Sequence, residues 1–258
     1  MKMLDLFSGI GGFSLAAQWA GIETVQFVEI DPFCQRVLAK NFAGVPIHDD
    51  IKSFSGDGIP AVDIITGGFP CQDVSIAGKG AGLDGERTGL FWELLRVIEF
   101  HQPAWFALEN VPGILSNDDG RTFAAVLSGL EECGYGVAWR TLDAQYFGVA
   151  GTRRRVFFVG SLGSDAASRL LFDRIGMREI LPQRKAGTSP RPMCVGWDGG
   201  LSYERLRQCV ITETDAPRTG ARDGVSRRLD KPRYRAIGNA IVPQVVYPIL
   251  QAIKEASE

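Results

Sequence analysis

Through the first 160 residues, short β-branched and aromatic runs alternate with amphipathic stretches. No other feature of the chain constrains its fold as strongly. Strands are expected at Met3–Phe7, Thr24–Ile30, Val62–Thr66, Ala104–Glu109, Gly136–Asp143 and Arg155–Gly160. Helices are expected at Gly12–Ala20, Pro32–Asn41, Gly89–His101, Thr122–Cys133 and Val242–Ala256. Leu90, Glu93, Leu94, Val97 and Ile98 recur at the helical period. Asp31-Pro32 reads as a helix start, with Asp as the cap and Pro at the first helical position. The alternation predicts an α/β fold, a mostly parallel, doubly wound sheet with helices on both faces.

The pattern breaks near residue 161. Residues 161–233 are rich in Gly, Pro, Ser, Thr and Arg with weak periodicity, and a helical pattern returns only after Gly238-Asn239. The expected organisation is therefore one domain made of 1–160 plus 234–258, interrupted by an irregular element at 161–233. Charge follows the same division. Residues 151–235 hold 18 Lys and Arg against 9 Asp and Glu, whereas the rest holds 10 against 21. A basic segment on an acidic body suits a polyanion site on one face, or a solvated Arg-rich surface. No apolar run approaches the roughly 20 residues that span a bilayer. The first residues do not read as a signal peptide. Five Cys without a Cys-x-x-Cys pair, and two His, argue against a disulfide framework and against a metal site. A reducing, cytoplasmic setting is expected.

Several motifs fall at expected strand ends, where open α/β sheets bind ligands. Leu4-Asp5-Leu6-Phe7-Ser8-Gly9-Ile10-Gly11-Gly12 follows the first strand and opens a helix. Ser14 stands where a dinucleotide fingerprint needs its third glycine, so a ligand without a diphosphate fits better, or a turn used only in packing. Glu29 ends the second strand, where a carboxylate can accept from both hydroxyls of a ribose. Gly67-Gly68-Phe69-Pro70-Cys71-Gln72 sets a cysteine just past another strand end, either as a nucleophile, which requires a thiolate, or as an inert buried residue. The glycine-rich stretch Ser75–Gly89 that follows reads as a mobile lid and favours the nucleophile. Glu109 ends a further strand. There, burial would raise its pKa and let it hold a proton on a ring nitrogen, with a cap or an ion pair as the alternative. In Arg153-Arg154-Arg155, strand alternation sends Arg153 and Arg155 to one face, toward a thiolate, a ring or a phosphate.

In order, Asp-Leu-Phe-Ser-Gly-Ile-Gly-Gly, Val-Glu-Ile-Asp, Asp50-Ile51, Gly-Gly-Phe-Pro-Cys-Gln, Glu-Asn-Val, Arg-x-Arg and a late Gly-Asn-Ala resemble the cytosine-5 DNA methyltransferase family. Residues 75–83 and 89–96 look like that family's catalytic loop and the helix after it. The resemblance covers roughly 1–160 and 232–250. It implies a Rossmann-like S-adenosylmethionine-dependent methyltransferase sheet with a short target-recognition region at 161–233. It also implies methyl transfer to carbon 5 of a cytosine flipped out of double-stranded DNA, in restriction-modification or phage DNA protection. Phe7, Gly9, Gly11, Gly12, Glu29, Ile30, Asp50, Ile51, Pro70, Asn239 and Ala240 would then hold the cofactor. Cys71 would attack carbon 6, Glu109 would engage the ring, and Arg153 and Arg155 would steady ring and nucleophile. A monomer without metal is the expected state.

The chain departs from the family pattern in three places. Ala150-Gly151 stands where the family has Pro-Gln before the arginines, and Val74 where it often has Phe. Ser226-Arg227-Arg228-Leu229 is only a candidate for its Arg-rich motif. The rival readings are a tRNA cytosine-5 methyltransferase of the same fold, a non-catalytic DNA-binding homologue, and an α/β dehydrogenase.

Overall fold

A computed structural model describes residues 1–70, 75–77, 86–149, 151–174, 236 and 238–258. Cys71, Val74, Ala150, Ser226–Leu229, most of the expected lid and all but the first part of 161–233 lie outside the described residues. The strands are β1 (Lys2–Leu6), β2 (Glu23–Val28), β3 (Ile47–His48), β4 (Ile64–Gly68), β5 (Ser75–Ala77), β6 (Glu86–Thr88), β7 (Trp105–Asn110), β8 (Tyr135–Asp143) and β9 (Arg154–Leu162). The helices are α1 (Gly12–Trp19), α2 (Pro32–Asn41), α3 (Leu90–His101), α4 (Arg121–Glu132), α5 (Ala166–Arg169) and α6 (Pro243–Ser257).

Seven strands form one sheet in the order β3-β2-β1-β4-β7-β9-β8. All pairings from β3 to β7 are parallel, while β9 runs antiparallel to both β7 and β8. The sheet is thus the mostly parallel α/β architecture that the alternation predicts. Strand periodicity does not show direction, and the reversal of β9 is new. It follows from the short turn through Ala144–Phe147, which returns the chain beside β8 as a hairpin. The reversal matters because it carries the start of β9 to the carboxyl-end edge of the parallel strands.

Strand alternation divides the core. Leu4 and Leu6 of β1, Phe106 and Leu108 of β7, and Val156 and Phe158 of β9 pack with Leu94, Ile98, Val126 and Leu130 of α3 and α4. Met3, Trp105, Ala107, Phe157 and Val159 face the other way, against Phe13 of α1 and Val246, Ile249 and Ile253 of α6. Both faces being covered explains why the strands read as continuous apolar runs. Helix α2 starts as expected. Asp31 accepts from the Phe33 and Cys34 amides, at 2.8 and 3.4 Å, and Pro32 takes the first helical position. In α3 the buried stripe is Phe91, Leu94, Leu95, Val97 and Ile98, and Glu93 instead pairs with Arg96.

Two expectations need correcting. Ser75–Ala77 and Glu86–Thr88, within the stretch read as a lid without structure, pair antiparallel with Ser75 opposite Thr88. The glycine-rich composition concealed a pairing between residues 13 apart. Regular structure also continues past residue 160. Strand β9 runs to Leu162, and Ala167, Leu170 and Leu171 are buried in the same core as Val159. Among the described residues no helix is long and apolar enough to cross a membrane.

Candidate active site

The strand order turns at β1, with β2 on one side and β4 on the other, and the crevice between the ends of β1 and β4 is where such sheets take ligands. The turn after β1 is built for that edge. Phe7 sits at φ +51°, a strained conformation for a residue with a side chain. Gly11 has φ +89°, and a Cβ there would meet the Phe42 ring at 2.4 Å. Gly9 donates its amide to Glu29 Oε2 at 2.7 Å, and Asp31 donates to Glu29 Oε1 at 2.8 Å. Glu29 therefore ties the turn to the end of β2. Burial raises its pKa and these amides pull it back down. A carboxylate offers about four lone-pair sites, so acceptor capacity remains for a hydroxylated ligand.

Ile30, beside Glu29, leaves 69 % of its surface exposed, an apolar face next to a carboxylate. Asp50 accepts from the Lys52 amide at 2.9 Å, and the Ile51 side chain is buried in the core. This edge therefore offers a carboxylate with spare acceptor capacity beside an exposed apolar side chain, which suits a ligand that pairs hydroxyl groups with an apolar face. Among the described residues no cluster of three His, Cys, Asp or Glu could hold a metal ion.

The other half of the edge lies at β4, β7 and β9. Asn110 donates to the Phe69 carbonyl at 2.9 Å, which fixes the backbone entering half-buried Pro70, the last described residue before Cys71. Glu109 is only 7 % exposed. Arg155 Nε lies 2.8 Å from Glu109 Oε1, a contact that the reversed β9 makes possible. Burial pushes Glu109 up to about 7, against the pull of Arg155 and Arg153. Arg153 also holds the chain that returns before α6. Its Nη1 donates to the Gly238 carbonyl at 2.9 Å and its Nη2 to the Ala240 carbonyl at 2.7 Å, while Asp143 accepts from its amide at 2.9 Å. Arg153 and Arg155 are both partly buried and Arg154 is exposed, as alternation predicts.

The return segment before α6 packs against this edge. Ala240 is half-buried and Asn239 exposed. Ile241 packs so closely that a Cβ on Gly12 would lie 2.5 Å from its carbonyl oxygen. Gly12→Ala is expected to lower stability by about 1–3 kcal/mol through overpacking and to weaken ligand binding at this edge. Thermal unfolding with and without ligand checks both effects.

The structure thus gathers Phe7, Gly9, Gly11, Gly12, Glu29, Ile30, Asp50 and Ile51 at the ends of β1, β2 and β3, and Glu109, Arg153, Arg155, Asn239 and Ala240 at the ends of β7 and β9. Sequence reasoning gave no role to Asp5, Arg96, Asn110 or Asp143. Asp5 could have been found as a charged side chain set between Leu4 and Leu6 in an apolar run. Arg96 and Asn110 bond to backbone groups more than 40 residues away, which leaves no pattern, whereas Asp143 caps the short turn that follows it.

Comparison with known proteins places this geometry. The C-5 cytosine-specific DNA methylase family matches residues 1–188. Type II methyltransferase M2.BsuMI of Bacillus subtilis is 43 % identical over 169 residues, 64 % of this chain and 43 % of that protein. Type II methyltransferase M.MspI of Moraxella is 39 % identical over 165 residues, again 64 % of this chain and 39 % of that protein. The match thus spans less than half the length of either relative. Among solved structures, Spodoptera frugiperda DNMT2 is 25 % identical with a TM-score of 0.52, covering 63 % of this chain and 50 % of that one. Schizosaccharomyces pombe Dnmt2 methyltransferase, 18 % identical, shares the fold over 100 % of this chain and 99 % of its own, with a TM-score of 0.65. On the family match over 1–188 and these relatives, the chain belongs to the C-5 cytosine-specific DNA methylase family.

Proposed function

We propose that the chain transfers a methyl group from S-adenosylmethionine to carbon 5 of a cytosine flipped out of double-stranded DNA. The observation that carries this reading is the Glu109–Arg155 pair, held at the sheet edge beside the Phe69-Pro70 turn and across from the glycine turn. S-adenosylmethionine, when bound, supplies an electrophilic methyl group. Glu29 holds the ribose hydroxyls, Ile30 covers the base, and Phe7, Gly9, Gly11, Gly12, Asp50, Ile51, Pro70, Asn239 and Ala240 frame the rest.

Carbon 5 of cytosine is a poor nucleophile, and a covalent bond at carbon 6 divides one hard step into easier ones. The Cys71 thiolate adds to carbon 6, and the ring's electron pair moves to carbon 5. Glu109 shares its proton with ring nitrogen 3 and so offsets the charge that addition places on the ring. Arg155 orients Glu109, and Arg153 holds the return segment over the crevice. As the methyl group joins carbon 5, its bond to the donor's sulfonium sulfur breaks; the proton on carbon 5 then passes to solvent, the carbon 5–carbon 6 double bond re-forms with departure of the Cys71 thiolate, and Glu109 recovers its proton from nitrogen 3. Flipping costs a few kcal/mol, which phosphate contacts from the basic 151–235 segment offset. The basic stretch beyond Arg174, up to residue 233, forms the target-recognition region, and restriction-modification or phage DNA protection is the setting.

The test traps the covalent intermediate. The full chain is incubated with S-adenosylmethionine and duplex DNA carrying 5-fluorocytosine, whose fluorine cannot leave carbon 5 as a cation in the way a proton does. A denaturation-resistant adduct mapped to Cys71 is expected, and Cys71→Ser should remove it. An adduct with RNA only would transfer the reading to a tRNA methyltransferase. Cofactor binding without an adduct on either polymer would make the chain a non-catalytic homologue.

A further inference from the structure

We propose that Arg96 is a positioning residue for the Asp50–Ile51 wall of the cofactor site. This proposal rests on the reading that the site takes S-adenosylmethionine. The stretch between β3 and β4 is 15 residues long and carries no helix or strand of its own. It carries Asp50 and Ile51, and its local bonds are short-range turns, Ser53 N to the Asp50 carbonyl at 3.1 Å and Phe54 N to the Ile51 carbonyl at 3.3 Å. Such a stretch needs an outside support to keep one shape.

That support comes from α3. Arg96 Nη2 donates to the Ile51 carbonyl at 2.9 Å and to the Phe54 carbonyl at 2.8 Å. Glu93, one turn back on the same helix, accepts from Arg96 Nε at 2.8 Å and fixes the plane of the guanidinium. A second contact lies at the far end of α3. A Cβ on Gly56 would come within 2.3 Å of His101 Nε2, so the loop backbone lies directly against that ring. Helix α3 follows β6, the strand that pairs with β5. The helix that braces the wall therefore continues directly from that hairpin.

The planar fork is what allows one side chain to hold two carbonyls and one carboxylate together, and a Lys ammonium has no such fixed geometry. Losing charge-assisted bonds to two carbonyls should loosen the wall without touching the groups at the reacting base. Binding of S-adenosylmethionine and of adenosine to the full chain would be measured by calorimetry for wild type, Arg96→Ala, Arg96→Lys and Glu93→Gln. Methylation kinetics would follow at saturating DNA. Arg96→Ala is expected to weaken both ligands by about tenfold, raising the cofactor KM by that factor while kcat stays within about twofold. Arg96→Lys should recover part of the loss, and Glu93→Gln should cost about threefold. Equal Kd values for wild type, Arg96→Ala and Glu93→Gln would overturn the proposal, as would a loss confined to kcat. A wild-type chain that binds no S-adenosylmethionine would overturn the cofactor reading itself, and this proposal with it.

Discussion

Glu109→Gln should reduce methyl transfer by about 10²- to 10⁴-fold, the range a positioned acid or base contributes, while cofactor affinity stays near wild type. Three observations set that expectation. Glu109 is buried, at the end of β7, and its Oε1 is held by Arg155. Its other oxygen faces Gly68, where a Cβ would come within 3.4 Å, so the carboxyl has little room to turn away. Its pKa, pushed up to about 7 by burial, keeps much of the group protonated near neutral pH, which an ordinary glutamate would not be. Gln preserves the shape but has no proton to share with ring nitrogen 3. Wild-type kcat/KM for DNA should therefore fall as pH rises through about 7, when Glu109 gives up its proton. In Glu109→Gln that limb should be missing. Activity within threefold of wild type, with the same alkaline limb, would remove Glu109 from the chemistry.

Glu109 and Arg155 were legible in the sequence because strand-end positions are legible. A run such as Ala104–Glu109 marks a buried strand, and the last residue of a buried parallel strand lies at the ligand edge. Helix α2 was legible to the residue for the same kind of local reason, an Asp cap followed by Pro. What escaped depends on distant partners. Strand β3 is two residues long and exists only because Phe27 and Val28 pair with it. The β5–β6 hairpin depends on residues that meet across the intervening stretch. Arg153 shares a face with Arg155, as alternation predicts, and its guanidinium also holds the carbonyls of Gly238 and Ala240, 85 and 87 residues away. Alternation along a strand gives the face a side chain takes. It cannot tell which loop, arriving later in the chain, will cover that face.

Asp5 carries the largest expected effect on stability. It is fully buried on β1, where Oδ2 accepts from Ser14 Oγ of α1 at 2.8 Å and Oδ1 from Thr66 Oγ1 of β4 at 2.9 Å. Thr24 of β2 donates to Ser14 in turn, at 3.0 Å, so the cluster joins three strands and a helix beneath the glycine turn. Burial lifts its pKa from 3.8 to about 7, and the charge of Glu29 adds to the rise, while Ser14 and Thr66 oppose it. The native chain therefore keeps a proton on Asp5 up to about pH 7, whereas the unfolded chain loses it near pH 4. Between those values the native state binds more protons, so stability falls as pH rises, and the loss is complete above about pH 7. At about 1.4 kcal/mol per pKa unit, the cost at pH 8 approaches about 4 kcal/mol as an upper bound. Asp5→Asn keeps the shape and avoids the charge, since its amide can donate to Ser14 Oγ while its carbonyl accepts from Thr66. Its Tm should be close to wild type at pH 4 and about 5–10 °C higher at pH 8. Glu109 titrates over a similar window, so some slope should persist in Asp5→Asn and be lost only when Glu109→Gln is added. A Tm difference between wild type and Asp5→Asn that stays constant from pH 4 to pH 8 would show that Asp5 is ionised in the folded chain throughout, with the hydroxyls of Ser14 and Thr66 outweighing its burial.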